Sequence, residues 1–449
     1  MRDEAASSIK AALALTATPM TDVPAPAAPE AVPMMGVTLL PSILTGLPPD
    51  ARLLFATRVL RLFGYGLISI VLVLYLSQLG FTTPQVGLLL TLTLVGDTVI
   101  SLALTTTADQ IGRKITLITG ALLVVTAGVV FGITRHYWLL LLAATVGVIS
   151  PSGNEVGPFL AIEQAALSQV TAGRDRTAVF AWYQLLGALA TAVGALVGGG
   201  SVSLLQQRGW TALASFRAVI AGYAAIGAAL ATLCLCLSPA VEVRQAVHRQ
   251  STPVLLGLHK SRRVVFQLSA LFSLDAFAGG FVVQSIAAYW FHIRFGVAPS
   301  TLGAIFFGAN LLAAVSALVA APLSRRIGLI PTMVVTHLPS NVLLILVPLM
   351  PTLPLAVAML LLRFSISQMD VPTRQAYTMA VVDPDERSAA AGVTGVARTA
   401  GAAVSPSLAG LLLAVPALIS VPFFLSGSLK VAYDLLLWRG FRSRHPSEF

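Results

Sequence analysis

From residue 54 onward the chain alternates between long apolar runs and short polar breaks. The runs cover 54–78, 84–107, 115–134, 137–166, 177–200, 214–238, 264–290, 300–323, 330–350, 354–381, 388–412 and 417–438. Each is about 20 residues or longer, enough for a helix to cross the ~30 Å hydrocarbon core of a bilayer. The pattern predicts an all-α integral membrane protein with twelve transmembrane helices. The fourth run is the least regular, because Pro151 and Pro158 interrupt it. Residues 1–52, rich in Ala and Pro, have no helical period and read as a disordered cytoplasmic tail. A cleaved targeting segment fits them less well: Asp3 and Glu4 stand where a signal peptide carries positive charge, and Pro19 closes the short apolar run after Lys10.

Composition agrees with the pattern. The chain is 56% hydrophobic and only 10% charged, whereas soluble domains carry about 25% charged residues. The two cysteines, Cys234 and Cys236, lie two apart in one apolar run, so they form neither a disulfide framework nor a CxxC metal site. A net charge of +10 would point to nucleic acid in a soluble chain, but here the positions of the charges describe topology. Of the 28 Lys and Arg, 18 fall in alternate loops and the tails, three (Arg135, Arg208 and Arg294) in the other loops, and seven within the runs. The positive-inside rule then gives an N-in, C-in topology. The six histidines show no ligand spacing, and neither a nucleotide-binding loop nor a Ser/His/Asp set is visible. No metal, cofactor, catalytic activity or nucleic-acid partner is expected.

The chain repeats itself. LALTTTADQIGRKITLITG (102–120) parallels LVAAPLSRRIGLIPTMVVT (318–336), aligning Gly112 with Gly328, and RDRTAVFAW (174–182) parallels DERSAAAGV (385–393). The offsets are 216 and 211 residues, so the repeat is half a chain long. Two pseudo-symmetric six-helix halves follow, 53–238 and 264–440, joined by a basic cytoplasmic linker at 239–263 and ending in a short tail at 441–449. Parallel halves of this kind belong to transporters. The glycine runs 187–200 and 401–410 lie inside apolar helices, where small residues permit close helix packing.

Charges inside the runs are the candidates for function, since each costs ~2.5–3.5 kcal/mol at a helix centre. Asp97, Glu155, Asp275 and Asp370 each lie 10 or 11 residues from the cytoplasmic end of their run, roughly 15–17 Å deep and so near the midplane. Four acids at one depth suit a central, water-accessible cavity better than scattered structural ion pairs. Arg363, Asp370 and Arg374 fall within about 40° of one helical wheel. Arg58 and Arg61 share a face of the first run with Tyr65, and Arg398 stands alone in an Ala/Gly-rich run. Glu163 and Asp434, nearer the ends of their runs, read as structural, and His337 as a satisfied polar residue.

Asp109-Gln-Ile-Gly112-Arg113-Lys114 resembles the loop signature G-x-x-x-D-R-x-G-R-K/R of the major facilitator superfamily, with Thr105 for the first Gly and Gln110 for the first Arg. The 8–9 loop keeps Arg326 and Gly328 but has Arg325 where the acid would stand, and Gly194-Ala-Leu-Val-Gly-Gly resembles the helix-5 antiporter motif with Ala195 for Pro. The resemblance covers residues 54–438. It implies rocker-switch alternating access around one central substrate site, with Asp109, Gly112, Arg113, Lys114, Arg325, Arg326 and Gly328 at the cytoplasmic gate. Glu163, at the cytoplasmic end of the fourth run, is expected to join that gate by meeting Arg113 in the outward-open state.

The resulting expectation is a secondary active transporter of a small solute in the cell membrane, monomeric, proton-coupled, with an antiporter-like motif that suggests efflux. Asp97, Glu155, Asp275 and Asp370 are the candidate proton carriers, because burial raises a carboxyl pKa toward neutrality. Arg58, Arg61, Arg363, Arg374 and Arg398 either hold an anionic substrate or tune those acids. An uncoupled facilitator and a non-transporting receptor or scaffold with the same fold are the alternatives.

Overall fold

The computed structural model describes residues 47–154, 157–171, 176–242, 258–383 and 386–442, with the backbone alone at 109, 176–178 and 388. Most of the tail expected at 1–52, most of that at 441–449, the side chain of Asp109 and all of Glu155 therefore lie outside the described residues. The described residues are helical along their length: α1 Pro49–Gln78, α2 Thr83–Ile111, α3 Arg113–Ile133, α4 Tyr137–Val146, α5 Phe159–Val170, α6 Arg176–Gln207, α7 Ala212–Leu235, α8 Arg262–Gly280, α9 Gln284–Phe295, α10 Pro299–Ile327, α11 Leu329–Leu346, α12 Leu353–Ser367, α13 Asp370–Ala380, α14 Arg387–Leu413 and α15 Val421–Phe441. Among the described residues, 11 helical stretches are long and apolar enough to cross a membrane, and Tyr137–Val146 is a shorter apolar one. They correspond to the runs read from the sequence. The first helix starts earlier than expected because Pro49, with no N–H to leave unpaired, opens it.

Three runs are broken: the fourth, whose prolines announce it, and the seventh and tenth, which the sequence pattern reads as continuous. The fourth stops at Val146 and resumes at Phe159. Between them Gly153 and Gly157 adopt φ of +70° and +81°, a left-handed conformation that a side chain disfavours. The seventh breaks between Gly280 and Gln284, and the tenth between Ser367 and Asp370. In the tenth the cause is Pro372, third residue of α13, whose ring collides with the carbonyl four residues earlier if the helix continues. Arg363 thus lies on a different helix from Asp370 and Arg374, and the single wheel predicted for the three does not exist.

Backbone freed in a membrane needs partners. In the fourth run the Gly157 N–H donates to Asp97 Oδ1 (2.5 Å), Tyr223 donates to the Val148 carbonyl (2.6 Å), and Ser150 Oγ donates to the Asn154 carbonyl (2.7 Å). The Pro151 carbonyl accepts from Ser285 N–H (3.1 Å) at the start of α9, so the breaks of the fourth and seventh runs meet.

Packing repeats as the sequence does. The contacts of α1 with α6 and α7 recur as α8 with α14 and α15; α3 with α7 recurs as α11 with α15, and α2 with α4 as α10 with α12. The two bundles join where α2 packs on α14 and α6 on α10. Glycine makes both seams possible: a Cβ on Gly87 would strike the Pro406 carbonyl, and one on Gly199 the Pro299 carbonyl. α1 is the most enclosed helix, with 83% of its apolar window buried against 28–56% elsewhere, which is why Arg58 and Arg61 within it are buried against protein, whereas Arg52 near its start is exposed.

Candidate functional site

The first bundle holds a closed charge cluster. Arg61 and Glu163 form a two-pronged pair, Nη1 to Oε1 at 2.6 Å and Nη2 to Oε2 at 2.8 Å, both residues buried. Thr57 Oγ1 donates to Oε1 (2.9 Å), the Tyr183 hydroxyl donates to Oε2, and the Arg61 guanidinium lies 4.5 Å from the Phe159 ring centroid. Arg58 Nε donates to the Tyr183 carbonyl (2.9 Å) and its Nη2 to Gln184, with the guanidinium 4.3 Å from the Tyr183 ring centroid. In this structure Glu163 is the counter-ion of Arg61, and Arg113 finds its partners at Gln169 and Glu242. Asp97 is half-buried and caps the break of the fourth run, accepting from Gly157 N–H and, at 3.2 Å, from Ser101.

The second bundle holds a more open network centred on Asp275. Its Oδ2 accepts from Arg374 Nη1 (3.0 Å), its Oδ1 from Lys430, and His337 Nε2 lies 3.8 Å away. Arg374 also pairs with Asp370 (3.3 Å), one turn before it on α13, as the spacing predicted. On the far side of His337, Nδ1 lies 2.8 Å from Asp434 Oδ1, and Asn341 donates to Oδ2 (2.9 Å). Asp275, Asp370, Arg374, His337, Asn341, Lys430 and Asp434 are all buried. Arg363 and Arg398 are half-buried and lie within electrostatic range of both Asp275 and Asp370.

Sequence reasoning missed Lys430, His337, Asn341 and Asp434 as members of this site. A signal was present: His337 and Asn341 are four apart on one run, as are Lys430 and Asp434 on another. Each pair is a polar stripe on one face of an apolar helix, and α11 packs on α15.

At the basic loops, Gly112 ends α2 with φ of +114° and starts α3. The first N–H groups of α3, on Arg113 and Lys114, donate to Glu242 at 2.8 and 3.1 Å, where the helix dipole favours a carboxylate. Arg113 also donates to Gln169 (3.0 Å), and Lys114 Nζ to the Leu237 carbonyl (2.7 Å). Nothing local in the sequence marks Glu242, 129 residues from Arg113, as that partner. In the equivalent loop Gly328 ends α10 with φ of +90°, and Arg325 and Arg326 are exposed.

The hydrogen bonds found between the bundles gather at the opposite end. Ser300 N–H donates to Ser203 Oγ (3.0 Å), Ser407 N–H to Thr91 Oγ1 (3.0 Å), and Gln284 Nε2 to Ser69 Oγ (2.8 Å).

An all-helical membrane protein with two like-packed bundles, buried charge in each and ties at one end is the architecture of a membrane transporter. The chain belongs to the Major Facilitator Superfamily, whose profile matches residues 54–406. It is 31% identical over 418 residues, 86% of this chain and 93% of the other, to an uncharacterized membrane protein of Saccharomyces cerevisiae. In fold it is similar to the nucleoside transporter NupG (TM-score 0.67, 13% identity, covering 88% of this chain and 100% of that one). It is similar also to a D-xylose-proton symporter (TM-score 0.66, 14% identity, covering 87% and 97%).

Proposed function

We propose that this chain is a secondary active transporter of the cell membrane, moving a small solute by rocker-switch alternating access between halves 53–238 and 264–440, with protons as the coupling ion. The observation that carries the reading is the buried Asp275–Arg374–Asp370 network, seated in one bundle while the ties between bundles lie at one end. Two carboxylates share one guanidinium there, so protonating either loosens its hold on Arg374 and lets the cations take new partners as the bundles rock. The similar symporter is named for coupling a solute to protons, which gives the fold a precedent. With the basic loops inside, the ties lie at the outer end and this state faces the cytoplasm. The Glu242 latch on Arg113 and Lys114 is then part of the gate.

The test is flux in proteoliposomes carrying a pH-reporting dye, driven by a pH jump, with a solute chosen by thermal-shift screening of the purified chain. Wild type should acidify or alkalinise the lumen as the solute moves. Asp97→Asn, Glu155→Gln, Asp275→Asn and Asp370→Asn should include at least one variant that loses pH-driven accumulation yet keeps solute exchange. Accumulation in all four would remove proton coupling and leave the uncoupled facilitator.

A further inference from the structure

The seam between α11 and α15 is more polar than its packing needs. It repeats the α3–α7 seam of the first bundle, which small and apolar side chains close: Gly128 lies against Ala224, and Gly227 against Val124. In the second bundle the same seam holds His337, Asn341, Lys430 and Asp434, all buried. The chain thus builds this seam once without them. The carboxylates nearby also differ in what holds them. Asp275 is bound by Arg374 and Lys430, and Asp370 by Arg374, so protonating either leaves a cation short of a counter-ion. Asp434 is held by groups with no fixed charge, His337 Nδ1 at 2.8 Å and Asn341 Nδ2 at 2.9 Å. Imidazole is the side chain that takes up and returns a proton near neutral pH. Its other nitrogen, Nε2, lies 3.8 Å from Asp275 Oδ1, so one ring touches both the network and the carboxylate behind it. The remaining ionisable groups around this pair are few. Asp370, Arg374 and the buried Tyr377 come from α13, and Tyr433 stands edge-on to the imidazole at 5.8 Å. Arg363 from α12 and Arg398 from α14 act on Asp275 through the field. Arg262, Arg263, Arg325, Arg326, Arg387 and Arg439 are exposed at the ends of α8, α10, α14 and α15.

We infer that His337 and Asp434 together form the binding site of the coupling proton. The inference rests on the proton-coupled reading and names the group that takes the proton. In the neutral ring Nδ1–H donates to Asp434, and Nε2 carries a lone pair. A proton arriving from water binds that lone pair and gives an imidazolium with one N–H toward Asp434 and one toward Asp275. The imidazolium then competes with Arg374 and Lys430 for Asp275, and Arg374 turns to Asp370. Loss of the same proton to water on the other side of the membrane returns Asp275 to its two cations. Asn341 is a positioning residue, holding the Asp434 carboxylate toward the ring. Asp275 and Asp370 respond to the proton's charge without carrying it.

The experiment follows the outer end of the full-length chain in detergent micelles with pH as the only variable. Spin labels go on Arg135→Cys and Thr352→Cys, exposed in equivalent loops of the two bundles, in a parent with Cys234 and Cys236 replaced by Ser. Distances between the labels are measured from about pH 5 to pH 8, the range of an imidazole. The parent should shift its distance distribution across that range. His337→Gln and Asp434→Asn should each hold one distribution at every pH, whereas His292→Gln, next to a loop, should shift as the parent does. A shift of equal size in the parent and in both site variants overturns the inference and leaves proton coupling to the other carboxylates. Distances in the parent that ignore pH defeat the proton-coupled reading, and the inference with it. Should the site variants fail to fold, imidazole nitrogen NMR of the histidine-labelled parent decides. The signal most protected from solvent, that of His337, should titrate in the same range, and a ring that keeps one protonation state throughout overturns the inference.

Discussion

At the residue scale, Arg61 and Glu163 show what a fully satisfied buried charge looks like in this chain. Removing one member strands the other, a cost of about 3–5 kcal/mol. Glu163→Gln should therefore lower stability sharply in a detergent unfolding series, and the Glu163→Gln/Arg61→Met double change should recover much of the loss. Simple additivity would mean that the pair does not interact. Asp370 and Arg374 belong to a shared network, so their coupling should be smaller: Asp370→Ala leaves Arg374 its bond to Asp275. The Asp370→Ala/Arg374→Ala pair should still melt above the sum of the single effects, because the double change removes both charges. The i, i+4 spacing announced that ion pair. The attachment of Asp275 to Lys430 joins residues 155 apart, and no local rule announces such a contact.

At the element scale, the breaks matter more than the helices. Pro372 keeps α12 and α13 apart and so sets where Asp370 and Arg374 stand relative to Arg363. Pro372→Ala should let the two segments approach one continuous helix, holding or raising the melting temperature while reducing flux. A variant with normal flux would show that the break is not required. In the fourth run Asp97 compensates an interrupted backbone, and losing its bond to Gly157 leaves a half-buried N–H unpaired, at about 1 kcal/mol. Asp97→Ala should be destabilising by that order in the same melts, and Asp97→Asn less so because its amide oxygen still accepts. The prolines of the fourth run announced an irregularity. Its extent was not legible, because its support comes from Tyr223, Asp97 and Ser285 on three other helices.

At the scale of the whole molecule, alternating access requires the ties between bundles to open. The Ser300 backbone N–H donates to Ser203 Oγ at 3.0 Å across the α6–α10 seam, so a cysteine pair at these two positions probes whether the seam opens. In a chain with Cys234 and Cys236 replaced by Ser, Ser203→Cys/Ser300→Cys should crosslink on oxidation and lose flux, and a reductant should restore it. Full flux in the crosslinked protein would rule out opening at this end.

Fold class and the internal repeat of packing were legible in the sequence. Hydrophobic length, loop charge and spacing are local or periodic quantities, and a bilayer constrains them strongly. Which acids serve as counter-ions was decided by tertiary structure alone. Glu163 became the partner of Arg61, Asp97 a cap for broken backbone, and Asp275 the centre of a network with His337 and Lys430. Those roles depend on which helix faces meet, and facing is set by packing between helices far apart in the chain. The same packing left Arg363 and Arg398 with no ion pair among the described residues, because the number of carboxylates able to reach them is a property of the assembled bundle.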